Sequence, residues 1–268
     1  MRLDGAVVVV TGASRGIGRA TAELLHRRGA SVGLLARNGP ELEELADRLG
    51  NRVAVAAADV TERDATGTAI EALEATLGPV DVLVNNAGIG AYASVLEEDP
   101  GAFELMMRVN YLGTVHATLA VLPGMARRRR GHIVNVASVA GRLGAPFEAA
   151  YSASKFAVVG FSESLAAEMQ AFDVHVSLVN PGPVATSFTD ARGVPFQRER
   201  PRPLAPATVA DAVVRAVEHD RFEQVLPRWL NIGIATRSLL PGAYRSGLLR
   251  DSRREAARLR TRIEKGQP

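Results

Sequence analysis

Along the chain, short runs of apolar and β-branched residues alternate with longer stretches in which apolar positions recur every three to four residues. Seven runs read as strands, at 6–12, 31–37, 53–59, 80–86, 132–138, 174–180 and 223–227. Most are apolar almost throughout, as strands buried on both faces of a parallel sheet must be. Between them, helical periodicity covers 16–29, 39–50, 62–77, 100–128, 148–171 and 207–219. Strict strand–helix alternation, with no flexible linker and no shift in composition, predicts one α/β domain with a doubly wound, mostly parallel, seven-stranded sheet flanked by helices. Right-handed crossovers put the ligand crevice of such a sheet at the carboxyl ends of its strands.

Two segments escape this pattern. Residues 189–206 are rich in Pro and Arg without a period, and read either as a lid beside a site or as an ordered surface excursion. Residues 228–250 are apolar but interrupted by Arg228, Arg237, Pro241 and Arg245, too broken to span a bilayer. Packing over a pocket, a subunit contact and a membrane surface are the three readings of that segment. We therefore divide the chain into a dinucleotide-binding and catalytic domain, 1–227, and a helical extension of it, 228–268, whose charged end is expected to fray.

Composition narrows the function classes. A hydrophobic content of 47% supplies a full core, and the absence of cysteine excludes disulfides and thiolate chemistry. The N-terminal apolar run is too short for a signal peptide core, which reads as a soluble cytoplasmic protein. Net charge is only +3, and the run at 127–130, four arginines, follows a helix pattern whose dipole it complements. A nucleic-acid surface is therefore not expected, and no metal site is predicted.

The chemistry sits at strand ends. The first strand runs into "TGASRGIGRA", with Gly12, Gly16 and Gly18 at the turn into a helix. Glycine permits a tight turn and close backbone approach to a pyrophosphate, which the helix N-terminus then attracts, the phosphate-binding turn of a Rossmann fold. About 20 residues on, an acid for a ribose 2′-hydroxyl is expected. Ala36, Arg37 and Asn38 stand there instead. Arg37, with Ser14 and Arg15 from the glycine turn, suits a 2′-phosphate and predicts NADP(H) over NAD.

Only two of the 32 basic side chains are lysines, and one of them closes "YSASK", 151–155. Tyr151 and Lys155 lie four apart in a helical pattern, hence on one helix face. A free phenol has a pKa of about 10, too high for proton exchange near neutrality. One positive charge about 4 Å away, at an effective dielectric near 20, is worth roughly 4 kcal/mol, or about three pK units. Ser138 ends the fifth strand, where its hydroxyl can orient and polarise a carbonyl oxygen.

With "TGASRGIG" (11–18), "NNAG" (85–88), Asn110, Ser138, "YSASK" and "NPGPVAT" (180–186) in this order, the sequence over 4–227 resembles the short-chain dehydrogenases and reductases. The resemblance implies that the turn from Gly12 through Ser14, Arg15, Gly16 and Ile17 to Gly18 holds the cofactor. It further implies that Asp59 and Val60 flank the adenine and that Asn86, Ala87 and Gly88 lie along the cofactor. Pro181, Gly182, Val184 and Thr186 would close around the nicotinamide end. Asn110 would hold a water in a proton relay with Lys155, which also binds the nicotinamide ribose. The implied activity is NADP(H)-dependent interconversion of a ketone and a secondary alcohol, with Tyr151 as acid/base; a non-catalytic NADP-binding regulatory or scaffold protein is the alternative. Phe147, Tyr92, Phe188 and Phe196 are candidate walls for a hydrophobic small-molecule substrate. Subunits of the family often pair through helices equivalent to 100–128 and 148–171, so a homodimer or homotetramer is expected.

Overall fold

The structure, a computed structural model, describes residues 1–188 and 202–265. Seven strands form one sheet: β1 (Val7–Thr11), β2 (Ser31–Ala36), β3 (Val53–Ala57), β4 (Val82–Asn85), β5 (Gly131–Val136), β6 (Val174–Pro181) and β7 (Glu223–Leu226). Their order is β3-β2-β1-β4-β5-β6-β7, and every neighbouring pair is parallel. The chain reverses its direction of travel across the sheet between β1 and β4. That switch point opens a crevice at the carboxyl ends of the strands.

Alternation along β1 shows why its apolar run is continuous. Val8 and Val10 join the core on one face of the sheet, with Ala22 and Leu25 of α1 (Gly16–Arg27), Leu42 and Leu45 of α2 (Gly39–Leu49), and Val213 of α7 (Pro206–His219). Val7 and Val9 face the opposite core, with Ile70 of α3 (Arg63–Leu77), Val121 of α5 (Gly113–Arg128) and Leu165 of α6 (Ala149–Met169). Burial of each large aliphatic side chain contributes about 1.5–3 kcal/mol, so both faces must be apolar.

The segment expected as one helix over 100–128 is three pieces: α4 (Pro100–Met106), a π-helical turn (Met107–Leu112) and α5. The wider turn carries the buried Asn110. Pro123 lies inside α5, and the run of arginines that follows is spent on the protein itself: Arg129 pairs with Asp173 at 2.6 Å and Arg130 with Asp81 at 2.8 Å.

A buried amide chain then fixes α6 to the sheet. Asn85 Nδ2 donates to Thr118 Oγ1 and to Asn135 Oδ1 at 3.1 and 2.9 Å, and Asn135 Nδ2 donates to Ser162 Oγ at 2.7 Å. Groups buried this deeply are costly unless paired, so the network sets the register of α6 against β4 and β5.

Beyond β7 a 3-10 turn (Arg228–Leu230) leads into α8 (Asn231–Leu239) and α9 (Pro241–Glu264). The charged end is helical, as the last part of α9, up to Glu264. Arg260 pairs with Glu264 at 2.7 Å one turn on, and Arg262 reaches Glu97 at 2.6 Å, so its charges anchor it to itself and to the body. Of the expected lid at 189–206, residues 189–201 lie outside the described residues. The remainder is tied down: Leu204 forms a parallel bridge with Val184, and its N–H donates to Pro183 O at 2.8 Å.

Candidate active site

A cleft of about 900 Å³ runs over the carboxyl ends of the strands. At one end lies the glycine turn. Gly12 has φ +65°, and a Cβ there would sit 2.9 Å from Ala87 Cα; a Cβ on Gly18 would sit 2.1 Å from Gly12 O. Neither position tolerates a side chain, because the loop after β4 lies against the turn at Gly12 and the start of α1 lies against it at Gly18. Thr11 Oγ1 accepts from the N–H groups of Asn86 and Ala87 at 3.0 and 3.1 Å. Asn86 Nδ2 donates back to Thr11 O and Gly12 O at 3.0 and 3.2 Å. The Asn86 side chain thus braces the turn, and Asn86, Ala87 and Gly88 all line the cleft.

Ser14, Arg15, Gly16 and Ile17 also line the cleft. Arg15 precedes α1 in extended conformation without a side-chain cap, and the helix has no acid in its first turn. The N–H groups of that turn are therefore open to the cleft, where a dinucleotide's pyrophosphate would meet them and the positive end of the helix dipole. The residues present fit such a group.

Arg37, Asp59 and Val60 line the same end. The Arg37 guanidinium is mostly exposed and stands 3.7 Å from Asp59 Oδ2, whose other oxygen accepts from Thr61 N–H at 2.9 Å. A carboxylate absent from the end of β2 is thus supplied by the next strand's loop, beside the arginine and tethered by its own turn. Val60 packs beneath: a Cβ on Gly113 would lie 2.7 Å from its methyl.

At the middle of the cleft, Tyr151 and Lys155 project from the start of α6. The Lys155 ammonium is buried, donates to Val136 O at 3.1 Å and lies 5.9 Å from the centre of the Tyr151 ring. Burial pulls its pKa down from the usual 10.5 to about 8. Asn110 is wholly buried: its Oδ1 accepts from Ile89 N–H at 2.8 Å, and its Nδ2 donates to Ile89 O and Ser154 Oγ at 2.9 and 2.8 Å. With both amide hydrogens spent, the Asn110 side chain holds the loop after β4 against α6. Ser138 caps the 3-10 turn Val139–Gly141, accepting from Ala140 N–H at 3.1 Å, and its hydroxyl donates to Pro181 O at 3.4 Å.

Pro181, Gly182, Val184 and Thr186 close the near wall. The Thr186 methyl sits 3.2 Å from where a Gly16 side chain would begin, so this loop lies directly over the glycine turn. The Phe188 ring lies 5.8 Å from that of Tyr151, tilted by 55°. Tyr92 and Phe188 are walls as expected; Phe147, by contrast, does not face the cleft but supports Tyr92 from 5.9 Å, and Phe196 lies outside the described residues.

Of the readings open for the extension after β7, packing over the pocket is the one the structure shows: Tyr244, Leu248, Asp251 and Glu255 of α9 line the cleft. Glu255 is hydrogen-bonded to the Tyr92 hydroxyl, and Tyr244 donates to Gly144 O at 3.4 Å. Their spacing of four, three and four is a one-faced helical stripe, a signal present in the sequence.

The doubly wound sheet and the open helix N-terminus behind a glycine turn are those of a dinucleotide-binding α/β protein, with a buried lysine beside a tyrosine in its cleft. Residues 6–194 match the short chain dehydrogenase family, and the chain belongs to it. It is 38% identical to the 3-ketodihydrosphingosine reductase of Bacteroides thetaiotaomicron, over 70% of this chain and 67% of that protein. Two solved structures superpose closely. A short chain dehydrogenase/reductase from Burkholderia phymatum in complex with NAD gives a TM-score of 0.82 at 29% identity, covering 89% of this chain and 94% of that one. A short chain dehydrogenase from Burkholderia cenocepacia in complex with NADP gives 0.81 at 32% identity, covering 93% and 99%. The protein is thus an oxidoreductase of this family by descent.

Proposed function

We propose that the protein is an NADP(H)-dependent oxidoreductase that interconverts a ketone and a secondary alcohol on an apolar substrate. The observation that carries the reading is the convergence of Tyr151, Lys155 and Ser138 on one stretch of the cleft whose far end is the uncapped α1. A bound nicotinamide supplies hydride to the carbonyl carbon, or accepts it in reverse. Tyr151 gives the proton to the carbonyl oxygen, and the Lys155 charge stabilises the tyrosinate left behind. Ser138 donates to the same oxygen in place of Pro181 O. Asn110 keeps Ser154 and the Ile89 loop in register, so that α6 presents Tyr151 at a constant height.

Preference for the 2′-phosphate rests on Arg37 with Ser14 and Arg15 at the adenine end, the phosphate taking the place of Asp59 as the partner of Arg37. Carbonyl reduction also accords with the relative named for reducing a keto group. Substrate class follows from the walls Tyr92, Phe188, Leu143 and Leu248. Subunits pair through the helices of 100–128 and 148–171; in the former, Leu105 of α4, Leu112 of the π-helical turn and Leu119 of α5 recur at intervals of seven and stay exposed. The deciding experiment is a panel of apolar ketones and alcohols with NADPH and NADH, run on wild type and Tyr151→Phe. Tyr151→Phe should bind NADPH normally and lose at least about a hundredfold in turnover; undiminished turnover would overturn the assignment.

A further inference from the structure

Past β7 the chain builds a helical hairpin, one side of which lines the cleft while many of its apolar side chains stay exposed. Among the described side chains of α8 and α9, none is fully buried. Trp229, Ile232, Leu239, Leu240 and Leu249 are exposed by 53, 70, 78, 61 and 56%. So many large apolar groups on one short stretch mark a surface that meets something. Charge says what. From 228 to 250 there are four arginines and not one Asp or Glu.

Arg237 is turned inward, donating to Arg142 O at 2.7 Å and lying 4.8 Å over the Phe156 ring. Arg228, Arg245 and Arg250 remain, and among the described residues they have no carboxylate partner. A second copy of this hairpin would bring arginine against arginine, which disfavours self-pairing. An anionic lipid surface complements both properties at once: headgroup phosphates for the arginines, and the upper acyl region for the leucines, with tryptophan at the boundary.

We propose that the α8–α9 hairpin docks on the surface of an anionic bilayer, with Trp229, Ile232, Leu239 and Leu240 entering the interface and Arg228, Arg245 and Arg250 binding the headgroups. The association is peripheral, because no helix among the described residues is long and apolar enough to cross a membrane. Leu230, Tyr244 and Leu248 of the same segment line the cleft, so the docked segment is also a wall of the site. An apolar substrate then enters from the bilayer without crossing water. The docking itself does not depend on which reaction the cleft performs.

Trp229 is the only tryptophan in the chain, so its fluorescence reports on this surface alone. The full-length protein is titrated with vesicles of phosphatidylcholine alone and of equal parts phosphatidylcholine and phosphatidylserine, each with and without acyl chains brominated near the headgroup. The expected result is a blue shift and bromine quenching with the anionic vesicles, weakened by salt. The triple variant Arg228→Ser, Arg245→Ser, Arg250→Ser should partition roughly a hundredfold more weakly. Ile232→Ser with Leu239→Ser and Leu240→Ser should abolish quenching with unchanged circular dichroism; should that variant fail to fold, quenching of the wild type decides alone. An unchanged Trp229 spectrum with anionic vesicles overturns the proposal. So does a blue shift that grows with protein concentration in the absence of lipid, which would assign the surface to a second copy.

Discussion

Replacing Lys155 by Met removes a buried charge while keeping an unbranched side chain of similar length. Burial lowers the Lys155 pKa from 10.5 to about 8, and a depression of that size corresponds to about 3 kcal/mol of destabilisation carried by the folded protein at neutral pH. The variant forfeits the hydrogen bond to Val136 O, worth about 1–2 kcal/mol. Lys155→Met should therefore be more stable than wild type by about 1–2 kcal/mol at pH 7, a rise in Tm of roughly 2–6 °C. The sign with pH follows from linkage. Below pH 8 the lysine is charged in both folded and unfolded states, so the full penalty acts. Between pH 8 and 10.5 the folded lysine has released its proton while the unfolded one keeps it, so wild type gains stability as pH rises and the gap closes. Thermal unfolding of both proteins, followed by circular dichroism from pH 6.5 to 10.5 without added nucleotide, measures this directly. Turnover in the variant should fall by at least about a hundredfold, the exchange of stability for function expected at a built site. A variant less stable than wild type at pH 7, or a Tm difference that stays constant across the range, would refute the reasoning.

Gly18→Ala places a Cβ 2.1 Å from Gly12 O, so urea unfolding should register a loss of roughly 3 kcal/mol and dinucleotide binding should disappear. His132, buried beside Ser177 and stacked 5.6 Å from His175, has its pKa lowered from 6.5 to about 4, chiefly by burial and next by the neighbouring histidine. The unfolded chain binds the extra proton between those values, so stability is lost as pH falls from 6.5 to 4, by about 3 kcal/mol in all. Acid titration of His132→Gln should lack that part of the slope. Arg37→Asp should lower the ratio of kcat/KM for NADPH over NADH by at least about tenfold; an unchanged ratio would remove Arg37 from cofactor discrimination.

Strand positions were legible because burial on both faces leaves an unmistakable apolar run, and the helix of Tyr151 and Lys155 was legible from a spacing of four. Less was readable where a residue's neighbour is distant in sequence. Asn86 stands in a motif that implies contact with a cofactor and lines the cleft, but that its Nδ2 also braces Thr11 and Gly12, 75 and 74 residues away, no local pattern announced. Asn110 likewise belongs to the expected constellation, but its side chain pairs with Ile89 and Ser154 from within a π-helical turn that no periodicity announced. The partners of the charged tail were hidden for a related reason: only the fold brings Glu97 to Arg262 and Tyr92 to Glu255.

By itself the sequence determined the doubly wound architecture, the crevice end of the sheet and the residue types of the acid/base pair, because each follows from local periodicity or from a turn that only glycine can make. Tertiary structure alone decided that Lys155 is stripped of water, that Asp59 lies beside Arg37, and that α9 walls the cleft with Tyr244, Leu248, Asp251 and Glu255. Desolvation and pairing between remote segments depend on how packed layers meet, and the linear pattern carries no information on distance across them.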